Sequence, residues 1–140
     1  DSLAAMAAIV LLDELPPAVP GTFPRVAVDR SELRDDLMRS PRLHFHQGDA
    51  FKFKPEQTVD WLICDIIAAP QRSMDLLLEW LREQRMRRFI VTIKFKGTDE
   101  YPLLDQLKRE APALCSDFRL TRLCANKNEV TAFGITSPAL

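Results

Sequence analysis

The chain has 140 residues, of which 46% are hydrophobic and 28% charged, and its formal net charge is -1. This composition is typical of one globular domain that needs neither disulfides nor metal ions to hold its core. The near-neutral charge excludes a strong overall field that attracts nucleic acid, so any RNA-binding surface must be local. No uninterrupted apolar run is long enough to span a bilayer, and we expect no membrane association.

The cysteine and histidine residues predict neither a disulfide framework nor a metal site. Cys64, Cys115 and Cys124 lack paired ligand spacing, and Cys64 lies inside an apolar segment. His44 and His46 are two residues apart without a third ligand at suitable spacing. We therefore expect no metal ion, reduced thiols, and an intracellular, cytoplasmic protein, an organelle being compatible with the same thiols.

The first third of the chain predicts two helices and two strands. Residues 2 to about 15 are almost all apolar and predict a covered helix that ends at Pro16-Pro17. After a loop, residues 25–28 predict a short strand ending in Asp29. Ser31 is a candidate cap for a short helix over residues 34–38, and residues 42–47 predict a strand followed by Gly48-Asp49.

The remaining two thirds alternate between strands and helices. Strands are predicted over residues 59–65 and 88–94. Their central segments, 61–64 and 89–93, are continuous apolar runs, as strands covered on both faces should be. Pro70 begins a long helix with an apolar stripe formed by Met74, Leu77, Leu78, Leu81 and Met86. Gly97 and Thr98 open a further helix, with Leu103, Leu104 and Leu107 directed inward. Residues 118–124 and 130–135 predict an antiparallel hairpin across residues 125–128.

This alternation predicts an α/β fold. We expect one open, mostly parallel sheet with a reversed strand in the C-terminal hairpin, helices on both faces, and a single domain over residues 1–140.

Three charged residues stand at strand ends: Asp65 and Lys94 close their strands, whereas Glu129 opens one. Ligands of open parallel sheets bind outside the carboxyl ends of the strands. The start of a reversed strand lies at that same edge, so we expect the three side chains to meet there. Alternatives remain for single residues, because Lys96 rivals Lys94, and Asp29 and Asp49 taken singly are turn or helix caps.

Four segments carry a resemblance to a known family. They are residues 47–55 (QGDAFKFKP), 61–66 (WLICDI), 93–95 (IKF) and 128–131 (NEVT). In order and approximate spacing they resemble the Rossmann-type S-adenosylmethionine-dependent methyltransferases. Within these, the closest group is the FtsJ-like RNA 2′-O-ribose methyltransferases, and especially the bacterial enzymes that modify a cytidine of large-subunit ribosomal RNA.

The resemblance implies roles for five residues. Asp65, Lys94 and Glu129 would be three of the family's four catalytic residues. Asp29 would bind the ribose of S-adenosylmethionine, Asp49 its adenine, and Asp65 would also border the cofactor. The implied partner is RNA, in particular ribosomal RNA, and the implied reaction is methyl transfer to a ribose 2′-hydroxyl.

The chain also departs from the family pattern. The family has a first strand, a Gly-rich turn beside the cofactor's methionine and an upstream catalytic lysine, whereas this sequence has four glycines with no close pair. Either the domain is N-terminally truncated, or a methyltransferase has lost its cofactor pocket. The protein is an RNA 2′-O-methyltransferase if the front half of the cofactor site exists. The alternative is an inactive methyltransferase-like module that binds RNA or protein in a ribosomal or assembly complex.

The missing upstream lysine affects the chemistry expected of Lys94. An amine becomes a general base at neutral pH only if its pKa falls, through burial or a nearby cation. Asp65 and Glu129 favour the charged amine instead. We therefore expect Lys94 to be charged, a poor base, and oriented by the two carboxylates.

Overall fold

The computed structural model describes residues 9–12, 25–29, 43–122 and 128–138. Two 3-10 segments, Thr98–Leu103 and Ala111–Leu114, flank the second helix. The strands and helices, in chain order, are β1 (Ile9–Leu12), β2 (Arg25–Asp29), β3 (Leu43–Gln47), β4 (Val59–Asp65), α1 (Pro70–Arg82), β5 (Met86–Lys94), α2 (Leu104–Glu110), β6 (Cys115–Thr121) and β7 (Glu129–Thr136).

The strands form one seven-stranded sheet in the order β3-β2-β1-β4-β5-β7-β6. β2 is parallel to β3 and β4 is parallel to β5, while β1 is antiparallel to both β2 and β4. Strands β2 to β5 therefore share one direction. β7 is antiparallel to β5 and β6, so the reversed C-terminal hairpin strand is confirmed.

The N-terminal helix predicted over residues 2 to about 15 is wrong for the residues of that segment that the structure describes. Ile9–Leu12 is a strand in the middle of the sheet, and the rest of that segment lies outside the described residues. A continuous apolar run suits a buried strand as well as a buried helix, and periodicity cannot separate the two. Here the pairing of Ile9–Leu12 with β2 and β4 decides the outcome.

Most of the other elements occur where the sequence predicts them. The predicted strands are all present with boundary shifts of a few residues, and α1 begins at Pro70 as expected. Met86, assigned above to the stripe of α1, is instead the first residue of β5. The helix expected over residues 34–38, which would supply a second helical layer, lies outside the described residues, as does the hairpin loop over 123–127.

The core lies on the face of the sheet that α1 covers. Along β5 the side chains of Phe89, Val91 and Ile93 are fully buried, and they alternate with more exposed neighbours, as a pleated strand requires. Met74 and Leu77 of α1 are equally buried and belong to the same apolar cluster.

The two tryptophans differ in their surroundings. Trp80 on α1 is buried in the core. Trp61 of β4 is only half-buried, because its position in the strand alternation places it on the opposite face of the sheet.

One residue predicted to point into the core near α2 is exposed instead. Leu104 and Leu107 are buried as expected, whereas Leu103 is 39% exposed. Leu103 closes a 3-10 segment that contains Pro102, and the tighter winding turns its side chain outward.

This difference in burial predicts that two similar substitutions lower the free energy of unfolding by unequal amounts. Leu107→Ala should lower the free energy of unfolding by about 3 kcal/mol, because it leaves a cavity in a closely packed core. Leu103→Ala should cost well under ~1 kcal/mol, because its side chain already contacts water. Urea denaturation of both variants measures the difference, and equal costs would contradict the packing described here.

Candidate active site

The structure brings Asp65, Lys94 and Glu129 together at one edge of the sheet. Lys94 and Glu129 are register partners across β5 and β7, and Asp65 ends the neighbouring β4. Lys94 Nζ lies 2.7 Å from Asp65 Oδ1 and donates a hydrogen bond of 2.9 Å to Glu129 Oε1. The meeting expected from strand direction is therefore present.

The cluster is accessible to a ligand. The side chains of Lys94, Asp65 and Glu129 are 25%, 33% and 28% exposed. One ammonium lies between two carboxylates, so the cluster carries a net negative charge at neutral pH. An ammonium has three N–H donors, and the two contacts described above leave one for a third acceptor.

The pKa of Lys94 is raised above its ordinary value of 10.5. Burial alone acts to lower it, but the contacts with Asp65 and Glu129 stabilise the charged form and outweigh burial. Lys94 is thus fully protonated at neutral pH, as the sequence predicts. With the described residues around it, it positions and donates hydrogen bonds rather than accepting a proton.

The raised pKa predicts an alkaline loss of stability. The folded state binds the Lys94 proton more tightly than the unfolded state, so its contribution is complete below pH 10.5 and is lost as pH rises through the higher folded pKa. The difference in unfolding free energy between the wild type and Lys94→Met should therefore be constant through neutral pH and shrink in strong alkali. A difference that grows with alkalinity would contradict this assignment.

The neighbouring Cys64 is shielded from chemistry. Burial, followed by the charge of Asp65, raises the pKa of its thiol to about 12, against a smaller opposing effect of Lys94. Its side chain lies on the core face of β4, so it is an inert core residue rather than a nucleophile.

The three predicted cofactor acids lie at the edge where Lys94 lies. Asp29 ends β2, Asp49 follows β3 by two residues, and Asp65 ends β4, and these three strands run in one direction. The Phe51 backbone N–H donates a 2.9 Å hydrogen bond to Asp49 Oδ1, which fixes the turn after β3. The side chain of Asp29 lies outside the described residues.

The sequence does not predict one contact at this edge, that of Arg72 with Phe51. The guanidinium of Arg72, in the first turn of α1, lies 3.9 Å from the ring centre of Phe51. Phe51 and Phe53 also pack against the core. A contact between residues so far apart in sequence depends on how α1 packs, and no motif announces it.

The arginines near the end of α1 are engaged in ion pairs. Arg82 contacts Glu110 at 2.6 Å, Arg85 contacts Glu79 at 3.1 Å, and Arg87 contacts Asp60 at 3.1 Å. These ion pairs favour a structural role for the three arginines over contact with RNA phosphates.

Among the residues that the structure describes, no group of three or more His, Cys, Asp or Glu side chains could hold a metal ion. None of the described helices is both long and apolar enough to cross a membrane.

Comparison with known proteins identifies relatives. Ribosomal RNA large subunit methyltransferase M of Azoarcus sp. (strain BH72) is 30% identical over 112 residues, which are 76% of this chain and 31% of that protein. The protein of the same name from Thauera aminoaromatica is 31% identical over the same shares. That of Pseudomonas fluorescens (strain Pf0-1) is 30% identical over 111 residues, or 75% of this chain and 31% of that protein.

The chain is related to these methyltransferases. The relationship confirms the resemblance drawn from the sequence, and the chain spans about a third of the length of these relatives. No family model matches the chain.

A solved structure supports the fold. The S-adenosylmethionine-dependent methyltransferase SibL in its apo form matches with a TM-score of 0.52 at 15% identity, covering 81% of this chain and 43% of that one. The chain therefore has the α/β fold of S-adenosylmethionine-dependent methyltransferases.

Proposed function

We propose that this chain carries the catalytic edge of an S-adenosylmethionine-dependent methyltransferase that acts on a ribose 2′-hydroxyl of RNA, in particular ribosomal RNA. The observation that carries the proposal is the contact of one lysine with two carboxylates at the end of the parallel strands. The relatives named ribosomal RNA large subunit methyltransferase M support the substrate class.

The described residues suit the adenosine half of the cofactor. Carboxylates accept hydrogen bonds from ribose hydroxyls and from the adenine amine. Asp29, Asp49 and Asp65 stand at or just after the ends of β2, β3 and β4, which run in one direction. The described residues give less support for binding of the methionine half of the cofactor. β1 runs in the opposite direction, so its carboxyl end lies at the opposite edge of the sheet. We therefore assign only the adenosine contacts to this chain.

The cluster would act on the attacking hydroxyl. When bound, the cofactor supplies an electrophilic methyl group on a sulfonium. Lys94 would donate its remaining N–H to the 2′-oxygen and hold it in line for attack, which supplies much of the rate. Asp65 and Glu129 orient the ammonium, and these carboxylates are the nearby groups able to accept the hydroxyl proton.

The setting of the reaction follows from this proposal. Ribosomal RNA is modified inside the cell, so the proposed function agrees with an intracellular protein. We also infer that the described strands belong to a single methyltransferase domain, because they share one sheet.

Calorimetric titration of S-adenosylmethionine into the purified protein tests the proposal. We expect micromolar binding that weakens at least ~10-fold in Asp49→Ala, because a carboxylate contact is lost. Lys94→Met should keep the binding, because Lys94 is assigned to the hydroxyl. If the folded wild type fails to bind the cofactor, the enzymatic proposal is wrong.

The reversed direction of β1 favours a second candidate. An antiparallel strand lies between β2 and β4, where the ends of parallel strands would otherwise continue the cofactor edge. A methyltransferase-like module that binds RNA or protein without catalysis would retain the sheet and tolerate this change. RNA binding without cofactor binding would support the second candidate.

A further inference from the structure

Arg72 differs from the arginine at the other end of α1 in its partners. Its side chain is exposed, and among the residues that the structure describes no carboxylate forms an ion pair with it. Arg82, the last residue of α1, instead contacts Glu110 at 2.6 Å. Asp75, the acid one turn beyond Arg72, accepts a 2.8 Å hydrogen bond from Gln71 Nε2. The guanidinium of Arg72 therefore keeps its N–H donors for an external acceptor.

An aromatic ring holds this guanidinium in place. It lies 3.9 Å from the ring centre of Phe51, which is half-buried and packs against the core. Packing over a ring restricts the rotamers of an arginine, while the donors in the plane of the guanidinium stay able to bind an anion. Arg72 thus loses less side-chain entropy on binding than a mobile surface arginine does.

A second exposed cation follows the ring. Lys52 comes directly after Phe51 in the chain, and no ion pair joins it to another described residue. Asp49, which precedes both in the same turn, accepts the hydrogen bond of the Phe51 backbone N–H. The acids next to Arg72 and Lys52 thus bind neutral N–H groups, and the two cations can share an external anion.

The position of Arg72 relates it to the candidate active site. α1 begins at Pro70, shortly after Asp65 ends β4, and Arg72 lies in the first turn. The cluster around Lys94 carries a net negative charge, so it repels the phosphates on either side of a target ribose. An RNA strand that enters this edge therefore needs cations beside the cluster, and Arg and Lys are the usual contacts for phosphates.

The chemistry of the cofactor favours RNA as the source of the anion. The adenosine half of S-adenosylmethionine, which the described acids suit, carries no negative group. A guanidinium beside it has no charge to neutralise on that half. A phosphodiester of RNA supplies the charge and accepts two parallel N–H donors from one arginine.

We propose that Arg72, assisted by Lys52, binds a phosphate of the RNA strand next to the target ribose. The inference rests on the proposed function and adds a positioning residue to it. Arg72 holds the strand through its backbone, so its contact is independent of base sequence, whereas Lys94 holds the reacting hydroxyl. Loss of Arg72 should therefore raise the KM for RNA and leave kcat nearly unchanged.

Fluorescence anisotropy with a labelled single-stranded RNA of about 12 nucleotides tests the proposal. Arg72→Ala should bind this RNA about 10-fold more weakly, which is the loss expected for one charge-assisted contact. Between about 50 and 200 mM salt, the slope of log affinity against log salt should also fall by ~0.7, the value for one phosphate of a single strand. Arg72→Lys should keep the wild-type slope, because it keeps the charge, and recover part of the affinity.

Arg82→Ala is the matched control, since it removes an exposed arginine of the same helix that already has a carboxylate partner. It should bind RNA within about 2-fold of the wild type. Calorimetric titration of S-adenosylmethionine into Arg72→Ala should give the wild-type affinity. Circular dichroism checks that each variant is folded.

Four outcomes overturn the inference. They are a wild type that binds no RNA, a folded Arg72→Ala with the wild-type RNA affinity and salt slope, an equal loss in Arg82→Ala, and a loss in Arg72→Ala of cofactor affinity alone. A wild type that binds RNA through Arg72 but binds no S-adenosylmethionine upholds this inference and refutes the enzymatic proposal, so the two failures are distinguishable.

Discussion

On the proposed function, Lys94→Ala should lower RNA methyl transfer by at least ~100-fold, which is the lower range for loss of a group that positions and polarises a reacting hydroxyl. The ammonium is held by Asp65 and Glu129, and no other described cation contacts both carboxylates. Its removal leaves the 2′-oxygen without a donor and the two carboxylates without their common partner. Transfer of a labelled methyl group from S-adenosylmethionine to large-subunit ribosomal RNA measures the loss.

Lys96 provides the matched control. It lies two residues beyond Lys94, is exposed, and its backbone N–H donates to Glu100 Oε1. Lys96→Ala should therefore leave turnover near the wild-type value. The loss in Lys94→Ala should appear in kcat with cofactor affinity retained, because Lys94 acts on the hydroxyl. Unchanged turnover in that variant would remove Lys94 from the reaction.

Measuring the stability of the Lys94→Ala variant separates a loss of turnover from a loss of folded protein. The three side chains are each about a quarter to a third exposed, so solvent screens the ion pairs. The expected cost is about 1 kcal/mol or less. A folded variant that has lost turnover assigns the effect to chemistry.

The strand ends could be predicted because two independent signals coincide there. The segments before Asp65 and Lys94 are continuous apolar runs, and each ends abruptly in a charge. Parallel strands one helix apart place their ends at one edge, so the contact follows from topology. The direction of the Lys94 pKa shift was predictable for a similar reason, since two carboxylates outweigh partial burial. The catalytic roles of the three residues stay predictions.

The errors arise where long-range packing decides the local structure. Ile9–Leu12 follows an alanine-rich segment with high helix propensity, yet its pairing with β2 and β4 makes it a strand. Leu103 fits the helical spacing, but Pro102 falls within a 3-10 segment and the side chain turns outward. The stacking of Arg72 on Phe51 likewise depends on α1 packing beside the turn after β3.

Gly134→Ala should destabilise the fold by about 3 kcal/mol or more, the upper range for overpacking in a closely packed sheet. A Cβ at this position would overlap the carbonyl oxygen of Asp117 and lie 3.2 Å from the Cα of Phe118. Phe118 is the register partner of Gly134, and the pairing of β6 with β7 is irregular between Cys115 and Asp117. Both neighbours are backbone, so relief requires separation of the two strands.

The consequence extends to the candidate site, because β7 also carries Glu129. Weaker pairing of β6 with β7 should loosen β7 and lower turnover together with stability, unlike the effect of Lys94→Ala. Gly48→Ala is the control, since its added Cβ would meet only the His46 side chain at an ordinary 3.5 Å. Thermal unfolding of both variants measures the difference. If the Gly134→Ala protein is as stable as Gly48→Ala, β6 does not approach β7 this closely. Glu129 would then be held in place by the pairing of β7 with β5 rather than with β6.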